Sequence, residues 1–174
     1  MKHLIIILLA ITTQLSAQSV QQSPAPLSAK QNAAYEAKAQ SKVAEFYSYL
    51  ELLTDPKGNA EMKQQALESA DKLFITNTIS DNILETKASG VPIASLLQSA
   101  KGQQKKHSFE IQDFSIQVIS DSPAKKEWQM TYKLLKNGKP LNIIQLFFIV
   151  QEDKKFGNTT KKVTNTYLGA ITIK

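Results

Sequence analysis

From Ser108 onward the apolar residues recur at every second position, and this period constrains the chain more than any other feature in it. Phe109 and Ile111 alternate with polar neighbours. The phase then slips by one residue, and Phe114, Ile116 and Val118 alternate again. Strand side chains point to the two faces in turn, so a slip inside one strand predicts a β-bulge near Gln112 and Asp113 that bends the sheet. Residues 120–124 read as a turn, and Trp128, Met130, Tyr132 and Leu134 mark the next strand. Asn137-Gly138 between two alternating runs predicts a two-residue hairpin, because both residue types accept positive φ. Residues 141–150 are apolar in both phases, which predicts a central strand covered on both sides. Residues 152–160 read as a loop. Residues 161–173 form a last strand with Val163, Asn165, Tyr167, Gly169, Ile171 and Ile173 on one face.

The period upstream is helical. Val43, Phe46, Tyr47, Leu50 and Leu53 share one face of a helix over residues 31–54, which Asp55-Pro56-Lys57-Gly58 ends. Asn59 is a good cap for a second helix, with Met62, Ala66, Ala70, Leu73 and Phe74 as its apolar stripe. Residues 75–79 and 83–87 suggest two short strands around Ser80-Asp81-Asn82. Pro92 opens a short helix to Lys101 that faces Ile93, Leu96, Leu97 and Ala100 inward, and Gly102 stops it. The expected class is α+β: N-terminal helices packed on a curved antiparallel sheet of four long strands.

This order of elements, with the bulged first long strand and the Asn137-Gly138 hairpin, resembles the nuclear-transport-factor-2-like, cystatin-like cone over residues 31–174. It also resembles exported domains of Bacteroidetes type. The resemblance implies a curved sheet wrapped around helices, with a pocket at the open end. It implies several uses: dehydratases and isomerases that work with Asp, His or Tyr in that pocket, and binding or assembly domains without catalysis.

The N-terminus has its own logic. Lys2 and His3 precede an eight-residue apolar run, and Leu15-Ser16-Ala17 is a small-residue cleavage motif, so residues 1–17 read as a cleavable export signal. The run falls well short of the roughly 20 residues of a spanning helix, so no transmembrane anchor is expected in the mature chain. Residues 18–30, rich in Pro, Ser and Gln, read as a flexible tether, leaving residues 31–174 as a single domain. The chain has no cysteine, which excludes disulfides, thiol catalysis and a lipid-modified cysteine. A periplasmic or secreted protein that is not a lipoprotein is expected.

Formal charge is +6, and all 21 basic residues are lysine. Without the bidentate fork of arginine, specific nucleic-acid readout is not expected. The paired lysines leave room for weak contact with an anionic surface. Every glycine is isolated, so no phosphate-cradling loop exists. One histidine beyond the signal and no cysteine speak against zinc, and no metal or cofactor is expected.

Candidate residues fall into two groups. Asp113, Tyr132 and Tyr167 are the pocket candidates, and His107 is the one conventional base beside Asp113, with no catalytic residue assigned. Ile144, Leu146, Phe148 and Val150, on the second apolar phase of the central strand, are the interface candidates. The leading expectation is a non-enzymatic interaction or assembly domain of the cell envelope with a protein partner or as a homo-oligomer. A small apolar ligand-binding protein using the cone pocket, and a dehydratase- or isomerase-like enzyme, are the alternatives.

Overall fold

The computed structural model describes residues 27–85, 90–122 and 124–174. The signal and all but the last residues of the tether lie outside them. Helix α1 (Ala29–Thr54) starts two residues before its expected position, because Ser28 and Gln31 form a capping box. The Gln31 N–H donates to Ser28 Oγ at 3.3 Å and the Ser28 N–H to Gln31 Oε1 at 2.9 Å. Ala39, Val43, Phe46, Tyr47, Leu50 and Leu53 are buried along one face of α1.

Asn59 caps α2 (Ala60–Asp71) by accepting from the Glu61 N–H at 2.8 Å. The expected stripe of α2 and the turn after it holds at Leu73 and Phe74, which are buried, and departs only at its first position. Ala66 and Ala70 are buried as expected, but Met62 is 55% exposed and Lys63 is buried. The methylene stem of Lys63 closes over Gly58, where a Cβ would stand only 2.9 Å from Lys63 Cε. A lysine stem can cover apolar surface in this way while its head reaches water.

The two strands expected in residues 75–90 shrink to a two-residue pairing of β1 (Ile79–Ser80) with β2 (Val91–Pro92). Ile83 and Leu84 are buried in a turn instead, where Asn82 Oδ1 accepts from the Leu84 N–H at 3.0 Å. Residues 86–89 lie outside the described residues. Helix α3 (Ile93–Lys101) follows Pro92 directly and buries Ile93, Leu96, Leu97 and Ala100.

The sheet is an antiparallel meander in the order β3 (Phe109–Asp121), β4 (Lys125–Lys136), β5 (Lys139–Phe156), β6 (Thr159–Ile173). The bulge of β3 is where the phase slip places it: the register shifts between Gln112 and Ser115, and Asp113 has φ 53°. A second shift follows Val118, which is 54% exposed rather than facing the core. Asn137 (φ 51°) and Gly138 (φ 75°) make the β4–β5 turn.

The expected loop over residues 152–160 is strand. Gly157, at φ 60°, makes a tight turn with Asn158, and Glu152 to Phe156 pair with Thr159 to Val163. A third shift, unforeseen, lies opposite Leu146, where β6 fits both Gly169 and Ala170 between partners. It switches the phase of β6, so Ile171 and Leu168 face the helices and Tyr167 does not.

The inner face of the sheet (Trp128, Met130, Tyr132, Leu134, Ile143, Phe147) packs on Phe46, Leu50 and Leu53 of α1 and on Leu96 and Leu97 of α3. The segment after α2 closes the β6 edge: the Ile75 N–H donates to Leu168 O at 2.9 Å, and the Leu168 N–H to Leu73 O at 2.7 Å. Three helices on a four-stranded antiparallel sheet make the α+β arrangement expected from the sequence.

Candidate functional site

The interior of the cone is occupied by side chains. Its polar element is a buried chain of three groups: the Tyr132 hydroxyl donates to Gln145 Oε1 at 2.7 Å and lies 3.0 Å from the Tyr47 hydroxyl. Tyr132 carries one hydroxyl proton, and Gln145 takes it, so Tyr47 is the donor of the second bond. Burial drives both phenols well above their ordinary range and keeps them neutral. Trp128 and Phe147 fill the space beside this chain, with ring centroids 6.2 Å apart, and Tyr35 of α1 meets Trp128 edge-on at 6.1 Å. Of the pocket candidates, Tyr132 alone faces this interior, as a hydrogen-bonded core residue.

Asp113 sits on the bulge with its side chain 75% exposed, and its carboxylate stands 3.5 Å from Lys133 Nζ. It does not enter the interior, because the left-handed bulge residue is carried out of the pleat. His107 is held at the start of β3. Its backbone N–H donates to Thr54 Oγ1 at 3.1 Å, and its Nδ1 lies 2.9 Å from Asn137 Nδ2. Asn137 Oδ1 accepts from the Ser108 N–H at 2.9 Å, which turns the amide donor toward the imidazole. Nδ1 therefore accepts, and the ring is neutral. Burial, then Lys136 and Lys105, hold its pKa below the usual histidine value.

The outer face of the sheet is divided. Its β3–β4 half carries Glu110, Ser115, Glu127, Gln129 and Lys133, and its β5–β6 half carries Ile144, Leu146, Phe148 and Val150 with Tyr167 and Ala170. Ile144, Leu146 and Val150 are half-buried, whereas Phe148 is only 6% exposed. Its ring lies across Gly169, where a Cβ would fall 2.5 Å from Phe148 Cε2, and Lys125 Nζ stands 3.9 Å above the ring centroid. The Tyr167 hydroxyl donates to Glu152 Oε1 at 2.8 Å, and Asn165 holds the other carboxylate oxygen. Burial and this carboxylate push the Tyr167 phenol up. Tyr167 also borders a cavity of about 600 Å³ between the segment after α2 and the start of α3, lined by Phe74, Ile75, Thr78 and Ile93.

Sequence reasoning missed Gln145, Tyr47 as its partner through Tyr132, and Glu152 with Asn165. Gln145 had a signal: it is the one polar residue in residues 141–150 that shares the inward phase of Ile143, Phe147 and Ile149. A buried amide needs partners from facing elements. Among the described residues no group of three or more His, Asp or Glu could hold a metal ion, and no helix is long and apolar enough to cross a membrane.

No family model and no curated protein matches the chain. Similar solved structures include a protein from Catenulispora acidiphila, at 8% identity and TM-score 0.49, over 82% of this chain and 92% of that one. A candidate scytalone dehydratase from Novosphingobium aromaticivorans is similar at 7% identity and TM-score 0.44, over 82% and 84%. A nuclear-transport-factor-2-like protein of unknown function from Pseudomonas aeruginosa is similar at 12% identity and TM-score 0.44, over 80% and 96%. Identities this low carry no residue's role across.

Proposed function

We propose that the chain is an exported, non-catalytic interaction domain of the cell envelope that assembles through the outer face of its sheet, with a second copy of the chain as the simplest partner. The observation that carries this reading is the apolar half of that face. Ile144, Leu146 and Val150 stand in a row, half-buried, beside Ala170 and over a floor set by the Phe148–Gly169 contact. Two such faces stacked about 10 Å apart would cover both rows, as sheets do in a sandwich. The filled cone supports the same reading, as do the separate engagements of Asp113 with Lys133 and His107 with Asn137. The export half of the proposal rests on residues 1–17.

Light scattering tests the assembly. The chain is expected to run as a dimer or larger, and Leu146→Lys, which puts a charge in the middle of the row, is expected to return it to monomer with its circular dichroism unchanged. A monomeric parent chain that recovers no cross-linked partner in its native envelope refutes the proposal. Mass spectrometry of the N-terminus, expected at Gln18 in the envelope fraction, tests export.

One observation favours a second reading, a small-ligand site. It is the 600 Å³ cavity beside Tyr167 rather than the cone interior. Its mixed lining suits a small amphipathic molecule. Native mass spectrometry of the purified chain would detect such a ligand, and Thr78→Trp, aimed at the cavity, should expel it.

A further inference from the structure

The β5–β6 hairpin runs past the rest of the sheet. Strand β4 begins at Lys125, whose partner is Val150, and the Gln151 N–H still donates to Ala124 O at 3.1 Å, so residues 152–163 pair only with each other. Residues 153–162 are all exposed. A two-stranded ribbon on its own is marginally stable in water, and this one bears a further cost. Lys154 stands directly opposite Lys161 in the register, and like charges at such positions repel. Lys155 and Lys162 extend the charge on the other face of the ribbon, where Asp153 is the partner of Lys162. Glu152, the remaining acid of the arm, is held by Tyr167 and Asn165 at its base. The distal end is thus four lysines against one free carboxylate. At its tip, beside the Gly157-Asn158 turn, Phe156 is 53% exposed, on the same face as Lys154 and Lys161.

An apolar ring at the extreme end of a projecting ribbon, ringed by flexible cations and with a repulsive cross-strand pair behind it, matches one kind of surface. We propose that the arm docks the protein on an anionic lipid bilayer, with Phe156 entering the headgroup boundary and Lys154, Lys155, Lys161 and Lys162 on the lipid phosphates. A bilayer supplies both complements at once: negative charge for the lysines and an apolar layer a few ångströms deeper for the ring. Lipid phosphates between Lys154 and Lys161 also remove the repulsion that the free arm carries. A soluble polyanion supplies the charge alone. This inference is independent of the sheet-face assembly, which uses residues 144–150.

The test is co-sedimentation of the full chain with vesicles of phosphatidylcholine, with and without 30% phosphatidylglycerol. The N-terminal apolar run can itself meet lipid, so the readout is the difference between the parent and arm variants of the same full chain. A lysine near an anionic surface contributes about a fivefold factor in partitioning, so replacing all four by Gln should weaken binding to the anionic vesicles by roughly 600-fold. Phe156→Ser should weaken it several-fold at unchanged charge, and binding of the parent should fall steeply as salt rises. On pure phosphatidylcholine, parent and four-lysine variant should differ little. Equal binding of parent and four-lysine variant to anionic vesicles overturns the proposal. So does a full lysine effect with no effect of Phe156→Ser and equal affinity for polyphosphate in solution, which assigns the arm to a soluble polyanion. Each variant's dichroism at 25 °C, expected to match the parent, separates lost docking from lost folding.

Discussion

The hydroxyls of Tyr47 and Tyr132 lie 3.0 Å apart with both rings buried, which ties the middle of α1 to the middle of β4 through one proton. The Tyr132 proton goes on to Gln145. Tyr132→Phe therefore strands a donor on one side and an acceptor on the other, and should cost about 2–4 kcal/mol of unfolding free energy. Tyr47→Phe removes only the outer donor and should cost about 1 kcal/mol. Urea unfolding followed by the fluorescence of Trp128 checks the order. Equal losses would show that the chain of bonds does not run as described.

Both phenols have folded pKa values raised above the unfolded value near 10. A raised value for a group that ionises to an anion means stability is complete below pH 10 and is lost as the pH rises past it. The melting temperature should fall more steeply above pH 10 than in the Tyr47→Phe, Tyr132→Phe double variant.

His107 gives the opposite dependence, at the acid end. Its folded pKa is depressed, so the unfolded chain binds a proton first as pH falls through about 6.5. Stability should be constant above that value and decline below it until the folded ring is protonated too. Protonation puts a hydrogen on Nδ1, where Asn137 already donates. Replacing His107 by Gln should flatten the decline in melting temperature between pH 7 and pH 5.

Gly169 is needed for space rather than for its backbone freedom. A Cβ there would meet Phe148 Cε2 at 2.5 Å and Leu146 Cβ at 2.8 Å, both fixed by the sheet. Gly169→Ala should cost about 1–3 kcal/mol by overpacking. If the variant melts with the parent, the ring of Phe148 does not lie where it is described.

Asp113 tests the opposite expectation. With φ 53° it occupies a conformation that favours glycine, and its ion pair with Lys133 is exposed. Asp113→Gly should change stability by less than about 1 kcal/mol in either direction, whereas Asp113→Val should destabilise, since a β-branched side chain resists positive φ. Thermal unfolding of the pair distinguishes them.

The features that could be read in the sequence were those with a strict local cause. The slip from Ile111 to Phe114 has no explanation in a flat strand other than an inserted residue, and the bulge stands at Asp113. Asn137-Gly138 admits few other conformations. Helix α1 was legible because its buried positions repeat at three- and four-residue steps. The failures share a cause as well: partners distant in sequence decided them. Lys63 is inside because Gly58 leaves room for its stem. Ile83 and Leu84 form no strand: Asn82 Oδ1 takes the Leu84 N–H, and Lys136 Nζ, distant in sequence, takes both of their carbonyls. The arm was invisible as strand because residues 153–162 are exposed on both faces, so no apolar alternation marks it. Tyr167 faces outward because β6 carries an extra residue opposite Leu146, and Gly169-Ala170 offers no phase break to read. The interface candidates were placed by phase alone, and Ile144, Leu146, Phe148 and Val150 do share the face turned away from the helices.

The border of the sheet has a consequence for how copies of this protein can grow into larger bodies. Along β6, Leu168, Ile171 and Ile173 already have their main-chain groups engaged by Leu73, Ile75, Ser80 and Asp81. Along β3, Glu51 takes the Phe109 N–H at 2.7 Å, and two breaks in register follow within the strand. A flat, unpaired border is the usual template for ribbons that lengthen without limit. Here the β6 border is sealed from Leu168 to Ile173 and open only along the charged arm, and the β3 border is interrupted. Stacking broad side to broad side ends after one partner, so the architecture favours assemblies of finite size over fibrils.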